Sequence, residues 1–347
     1  MAQCSEPRGV HLVGSIRLQS EPEDPLERPP SAKNVFEAMT TALPYRLRRI
    51  PDGETGTRHY FANWQDRVFL KSPWIMHDHE LAATQITVSP NDHKRDTQLA
   101  SPDYDKVAIS SYQAFLKLQN AGIIPAHTRF QVCIPTPICV LPKYVRPEYQ
   151  ARVEPLYEKL LQEAVRNLER HIPHQDLAIQ WDCPIEFAML EGVALGGRLT
   201  PWFECSPDTL VDRHERLASV VAPDVQMGYH LCYGDIGHKH FVQPEDMSKM
   251  VEVANLICER VRHRVNFLHM PVPKDRDDDA YFAPLRGLKL HSETELYLGL
   301  VHPDDMKGTL ARIETAQRTI SEFGVATECG WGRTPVKEIL KAVSSSL

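Results

Sequence analysis

The segment Gln226-Met227-Gly228-Tyr229-His230-Leu231 is a short, largely apolar run, and Cys232 follows it directly. Runs of this length predict strands that are buried on both faces, as in a parallel sheet. Seven further runs of the same kind occur along the chain: Val10–Val13, Tyr45–Ile50, Arg129–Ile134, Leu177–Trp181, Val265–Leu268, Glu295–Val301 and Gly324–Thr327. The sequence therefore predicts eight strands.

Helical patterns lie between most of these strands. In Ala151–His171, apolar residues recur at intervals of three and four, which predicts an amphipathic helix. Met247–Val261 and Asp304–Phe323 repeat the pattern, and Pro335 opens a final short helix that ends near Val343. Strands that alternate with helices predict an α/β fold, here a (β/α)8 TIM barrel forming a single domain over residues 1–347. A doubly wound open sheet is the structural alternative.

The interval between the second and third predicted strands is unusually long, at about 80 residues. It contains Trp64, Trp74 and the polar stretch Ser89–Ser101. We interpret residues 55–105 as an insertion that forms helical excursions and a lid over the barrel mouth.

Composition excludes several classes of protein. The chain has 347 residues, with 39 Lys and Arg against 46 Asp and Glu, which gives a formal net charge of −7. This mild acidity argues against a broad nucleic-acid-binding surface, which requires a basic face. No apolar run approaches the roughly 20 residues that a membrane-spanning helix needs. We therefore expect neither nucleic acid nor membrane as a partner.

The cysteines indicate a reducing compartment. Eight cysteines are scattered along the chain, at positions 4, 133, 139, 183, 205, 232, 258 and 329. Residues Met1–Pro7 are polar and lack the apolar segment of a secretory signal. We expect reduced thiols in a cytoplasmic protein, some of them metal ligands, rather than a disulfide framework.

Active sites of such barrels lie at the carboxyl ends of the strands. The residues that the predicted strands place there are Ser15, Glu54, Asp182, His230, Cys232, His269 and Cys329. His230 and Cys232 have i, i+2 spacing, so on extended backbone their side chains point to the same side. Cys329 can close a site from across the mouth. One His and two Cys with an open fourth position are what a catalytic zinc ion requires.

Two other interpretations of these residues remain open at this point. Taken alone, a His-x-Cys pair is as compatible with a buried histidine beside a core cysteine as with a metal site. His238 and His240 repeat the i, i+2 spacing. They could form a rival site with His230, could line the substrate mouth, or could simply be solvated loop residues.

Five sequence elements in register resemble the catalytic half of cobalamin-independent methionine synthase. They are Val13-Gly14-Ser15, Asp52-Gly53-Glu54, Ile179-Gln180-Trp181-Asp182-Cys183-Pro184, His230-Leu231-Cys232-Tyr233 and Glu328-Cys329-Gly330. Each stands at a predicted strand end, in the family's order. The superfamily also contains uroporphyrinogen decarboxylase and thiol methyltransferases.

The resemblance implies a zinc ion bound by His230, Cys232 and Cys329 that holds a substrate thiol as thiolate for attack on an alkyl donor. It also implies that Glu54 and Asp182 bind a substrate ammonium group, and that the loop at Gly14–Ser15 contacts a carboxylate. These features fit an amino-acid thiol such as homocysteine as the substrate.

The chain also departs from the family's pattern. The family has a zinc-binding Glu at the end of the sixth strand, where this chain has His269. His269 can be a fourth metal ligand, can lie behind the ligands, or can act as a catalytic base together with Asp182. Cys183 stands where the family has an acid after its Asp, which weakens the inference about the exact substrate.

The sequence favours a zinc-dependent enzyme that transfers a methyl or alkyl group to a thiol. A zinc-dependent lyase or hydrolase on the same barrel is the second hypothesis, because zinc can also polarise a carbonyl or activate water. A non-catalytic protein that binds a small molecule is the third.

Overall fold

The structure is a computed structural model that describes residues 9–16, 18, 31–58, 61–70, 99–194, 199–234 and 240–330. Within these residues, seven parallel strands form one sheet in chain order. The strands are β1 (Arg49–Pro51), β2 (Arg129–Pro135), β3 (Leu177–Cys183), β4 (Gln226–Leu231), β5 (Phe267–Pro271), β6 (Glu295–Val301) and β7 (Gly324–Thr327). This sequential order excludes the doubly wound alternative, in which the strand order reverses.

The segment at residues 9–16 joins the two edges of the sheet. Val10 forms parallel bridges with both Leu47 and Val325, next to β1 and within β7. Farther along, Ser15 bridges Gly53. One segment is therefore hydrogen-bonded both to β7 and to the residues on either side of β1, and the fold is close to a TIM barrel. The first predicted strand is present only as these isolated bridges, so the described sheet has seven strands rather than eight.

Helices cover the outside of the sheet. They are α1 (Ala32–Ala42), α2 (Asp66–Phe69), α3 (Tyr104–Asn120), α4 (Pro137–Tyr144), α5 (Pro147–His171), α6 (Pro184–Leu190), α7 (Pro207–Ala218), α8 (Ser248–Arg260), α9 (Asp279–Phe282) and α10 (Met306–Thr319). Short 3-10 helices occur at Gly56–Arg58, Phe61–Gln65, His174–Asp176 and Ala283–Gly287. No helix in these described ranges is both long enough and apolar enough to cross a membrane.

Three predicted helices lie within the described residues and are present with shifted bounds, as α5, α8 and α10. The side chains of Val153, Tyr157, Leu161 and Val165 in α5 are fully buried against the sheet, and burial of each such side chain contributes about 1.5–3 kcal/mol. Leu156 and Leu310, which the same pattern assigned to apolar faces, are instead 37% and 43% exposed. The apolar stripes are thus narrower than predicted. Asp305 is the N-cap residue of α10, and its side chain accepts a hydrogen bond from Gly308 N at 3.1 Å.

Two strand predictions were misplaced. The second strand is Arg49–Pro51 rather than Tyr45–Ile50, because Tyr45 has a left-handed φ of +61° and belongs to a turn. The sixth predicted strand is Phe267–Pro271 rather than Val265–Leu268. Pairing with β6 continues as far as Pro271, so His269 lies within its strand and not at its end.

The predicted insertion is described only in part. Within 61–70, Ala62, Val68 and Phe69 are buried in the core, and the Phe69 ring lies 5.6 Å from both the Tyr144 and the Tyr157 rings. Residues 71–98 lie outside the described residues, as does the final helix predicted from Pro335 to Val343. The lid therefore remains a prediction.

Candidate functional site

His230, Cys232 and Cys329 converge at the carboxyl ends of the strands. Their donor atoms all lie within 4.8 Å of one another. The two sulfur atoms are 3.9 Å apart, and Cys329 Sγ lies 3.8 Å from His230 Nε2. His230 is the fifth residue of β4, and Cys232 follows that strand directly, while Cys329 follows β7 by two residues. The barrel-like curvature thus brings residue 329 to residues 230 and 232.

These three donors fit a zinc ion. Two Zn–S bonds of about 2.3 Å at the tetrahedral angle place the sulfur atoms about 3.8 Å apart, close to the 3.9 Å observed. His230 and Cys232 are buried, and Cys329 is half-buried. Three donors with partial access on the Cys329 side leave a fourth position for a further ligand, as catalytic zinc sites do.

His269 lies behind His230 and is not one of the three converging donors. The Nδ1 atoms of the two rings are 2.6 Å apart, and the rings are nearly parallel with their centroids separated by 4.7 Å. Burial lowers the pKa of His269 to about 3, although a hydrogen bond with the Thr327 backbone acts in the opposite direction. Burial also lowers the pKa of His230, and so does the neighbouring His269. Both rings are therefore neutral at pH 7.

Two acids lie beside the three donors. Burial raises the pKa of Glu54 well above its usual value, and the Asp182 carboxylate and Cys329 raise it further. Burial also raises the pKa of Asp182, to about 7. Each acid is thus short of positive charge, which a bound ammonium group would supply.

Glu54 lies against the backbone turn at Gly14, whose positive φ favours glycine. Gly14 has a φ of +51°, and a Cβ placed there would lie 3.5 Å from Glu54 Oε2. Ser15 is next to the cysteine loop, because its Oγ would be only 2.5 Å from a Cβ built on Gly330. The structure therefore brings Ser15, Glu54 and Asp182 to the same end of the barrel as Cys329.

A buried polar network orients Asp182. Gln180 Nε2 donates to Asp182 Oδ1 at 2.8 Å. Gln180 Oε1 in turn lies 2.7 Å from His11 Nε2 and accepts from Gln131 Nε2 at 3.2 Å. The i, i+2 spacing of Gln180 and Asp182 on β3 was the signal in the sequence that both side chains face the barrel interior.

A small cavity adjoins Glu54. Glu54, Arg58, Trp64, Tyr104 and Cys133 are among the residues that line it. Arg58 pairs with Asp52 through a 2.8 Å contact from Nη2 to Oδ2. The cavity therefore combines an acid that forms no ion pair among the described residues with an aromatic wall, at the end of the barrel that carries the candidate metal donors.

Sequence reasoning missed one polar group at the same end. His302 follows β6, and its Nδ1 lies 3.5 Å from Glu328 Oε2. His240 Nε2 is 3.6 Å from that same oxygen, so His240 lies beside Glu328, while His238 lies outside the described residues. The sequence did contain a signal for this residue, because His302 directly follows a predicted strand and therefore stands where site residues were expected.

Comparison with known proteins gives a match in fold. No protein-family model matches the chain, and no curated protein does. A solved B12-independent methionine synthase from a Shewanella species, in complex with selenomethionine, matches with a TM-score of 0.61 and 13% identity over 99% of this chain and 97% of that one. A putative vitamin-B12-independent methionine synthase from Listeria monocytogenes matches with a TM-score of 0.54 and 14% identity over 98% and 97%. The resemblance expected from the five sequence elements is confirmed in fold over nearly the whole chain.

Proposed function

We propose that this protein is a zinc-dependent enzyme that transfers a methyl group to the thiol of a small amino acid of the homocysteine type. The observation that carries the proposal is the convergence of His230 Nε2, Cys232 Sγ and Cys329 Sγ within 4.8 Å. Two acids that need a positive partner lie beside them. Its fold is similar to that of a methionine synthase solved with selenomethionine, an amino acid.

His230, Cys232 and Cys329 would hold the zinc ion. When bound, zinc makes a coordinating substrate thiol lose its proton at neutral pH and keeps it as the nucleophilic thiolate. His269 would orient His230, because its Nδ1 lies 2.6 Å from His230 Nδ1 and leaves Nε2 as the nitrogen that can bind a metal. This arrangement favours a positioning role for His269 over the role of a fourth ligand.

The acids would bind the amino group of the substrate. Glu54 and Asp182 would pair with the ammonium, and the loop at Gly14–Ser15 would contact the carboxylate. Gln180 fixes Asp182 by its 2.8 Å hydrogen bond, so the substrate's amino-acid head has a rigid anchor. That anchor would aim the thiol at the metal donors, and orientation of this kind lowers the barrier for transfer.

The test combines metal content with thiol binding and turnover. We expect about one zinc ion at this site in the purified protein, and its loss in Cys329→Ser and Cys232→Ser. Addition of homocysteine should add one sulfur to the zinc shell in X-ray absorption at the zinc edge. Mass spectrometry should then detect methylated homocysteine with a sulfonium or N-methyl donor.

Cys258→Ser is the matched control, because Cys258 is a buried thiol on α8 that belongs to no metal-ligating group found among the described residues. A protein without zinc, or a zinc shell that does not change with homocysteine, would contradict the proposal. Turnover of a substrate that lacks a thiol would instead indicate a zinc-dependent lyase or hydrolase.

A further inference from the structure

A second group of metal-ligating side chains lies behind the strand end that carries Asp182. Its members are Cys183, the last residue of β3, Glu186 in the first turn of α6, and His214 in α7. Their donor atoms lie within 4.8 Å of one another. Because consecutive side chains of a strand point to opposite faces, Cys183 faces the helices while Asp182 faces the barrel interior. The group is therefore separate from the candidate site described above.

All three side chains are withdrawn from solvent. Cys183, Glu186 and His214 are 0%, 1% and 2% exposed. Groups that can carry charge are rarely buried this deeply unless they are paired or bind a metal. No ion pair joins the three within the described structure, and the nearby Arg213 guanidinium bonds to Glu154 at 2.6 Å.

The hydrogen bonds of this group are incomplete. Glu186 accepts from Thr136 Oγ1, and also from Cys139 Sγ at 3.2 Å. Cys183 Sγ contacts the Trp181 carbonyl oxygen at 3.6 Å, a long hydrogen bond. His214 Nδ1 is buried and has no hydrogen-bond partner among the described residues. A buried nitrogen without a partner is destabilising, and a cation would satisfy it.

We propose that Cys183, Glu186 and His214 form a second divalent-metal site. A set of one thiolate, one carboxylate and one imidazole binds zinc in preference to magnesium or calcium, which favour oxygen ligands. A metal ion there ties the end of β3 to α6 and α7. It thereby fixes the strand end on which Asp182 stands.

The protonation of the three groups is compatible with this assignment. Burial raises the pKa of Cys183, and nearby Glu186 raises it further. Burial raises the pKa of Glu186 to about 7 and lowers that of His214 to about 3. Without a cation, burial therefore favours the protonated forms of both acids. A divalent cation favours their deprotonated forms and takes the free nitrogen of the neutral imidazole.

The experiment removes the first site and measures metal at the second. The full-length Cys232→Ser/Cys329→Ser protein is purified, dialysed and analysed for zinc, and then examined by X-ray absorption at the zinc edge. We expect about one zinc ion per chain, with a shell of one sulfur and several nitrogen or oxygen ligands. Absence of zinc, or a shell without sulfur, would overturn the proposal, since the only thiols removed are those of the first site.

Further substitutions in the same background assign the ligands. Cys183→Ser should remove the sulfur from the shell, and His214→Gln should lower the zinc content at least tenfold. Cys258→Ser should change neither. Full retention of zinc in His214→Gln would overturn the proposal. If either substituted chain fails to fold by circular dichroism, the sulfur count of the double variant alone decides. This result does not depend on the proposed function: zinc that is lost in Cys232→Ser or Cys329→Ser reports the first site, whereas zinc that remains in the double variant reports the second.

Discussion

His230 Nδ1 lies 2.6 Å from His269 Nδ1, and this contact leaves His230 Nε2 facing Cys329 Sγ at 3.8 Å. A hydrogen bond between two neutral imidazoles needs one donor and one acceptor, so one proton is shared between the two Nδ1 atoms. The contact fixes which nitrogen of His230 is free to bind a metal. His269 therefore contacts a candidate metal donor from the side opposite Cys329.

Replacement of His269 tests this relationship. We expect His269→Ala to weaken zinc binding by about 10- to 100-fold, the usual effect of removing a partner that orients a metal-binding histidine. Competition with a chromophoric chelator measures the affinity. His171→Ala, at an exposed helix end, is the control and should change nothing. A loss as complete as that in Cys329→Ser would identify His269 as a direct ligand instead.

The paired acids should control binding of the amino group. We expect Glu54→Gln and Asp182→Asn each to weaken homocysteine binding by about tenfold to 100-fold, because a hydrogen bond to a charged group contributes about 1.5–3 kcal/mol. Titration calorimetry measures the dissociation constant. The thiol analogue that lacks the amino group should bind wild type and both variants with the same affinity. If the variants bind that analogue more weakly by the same factor as homocysteine, the acids do not recognise the ammonium group.

His302 should make the protein less stable in mild acid. Burial lowers the pKa of His302 to about 3, so the folded state binds fewer protons than the unfolded state as pH falls below about 6.5. The stabilisation from a neutral His302 is complete above that value and is lost progressively between about 6.5 and 3. Between pH 7.5 and 5.0, we expect wild type to lose about 2 kcal/mol more free energy of unfolding than His302→Asn.

Urea unfolding at the two pH values measures this difference. His171→Asn should show the pH dependence of wild type, because His171 is exposed. Equal pH dependence in wild type and His302→Asn would show that His302 binds protons equally in the folded and unfolded states, and would contradict this prediction.

Gly299 should be required for the position of Cys329. A Cβ on Gly299 would lie 2.8 Å from Glu328 Cα, 2.8 Å from Thr327 O and 2.9 Å from Pro271 Cα. All three atoms are backbone, so β5 and the end of β7 would have to separate. We expect Gly299→Ala to lower the free energy of unfolding by about 1–3 kcal/mol and to weaken zinc binding as Cys329 shifts.

Gly287→Ala is the matched control for this substitution, because nothing lies within 4 Å of a Cβ at that position. Chemical denaturation and chelator competition measure both effects. If Gly299→Ala is destabilised but binds zinc with unchanged affinity, the packing at Gly299 does not control the position of Cys329, and the prediction is wrong.

Local patterns in the sequence were sufficient for the elements and for part of the site. Apolar runs located strands β2, β3, β4, β6 and β7, because a strand that is buried on both faces is a continuous run of apolar residues in the sequence. The i, i+2 spacing placed His230 and Cys232 on one side, because side-chain alternation is a property of the extended backbone itself. The expectation that Cys329 approaches them followed once the strands were ordered as a barrel.

Tertiary structure alone decided which groups touch. The contact between His230 and His269 depends on the register of β4 with β5, and that of His302 with Glu328 on the packing of two loops. The group formed by Cys183, Glu186 and His214 depends on how α7 packs beside α6. These distances arise from the packing of segments far apart in the chain, whereas periodicity reports only which face of its own segment a residue occupies.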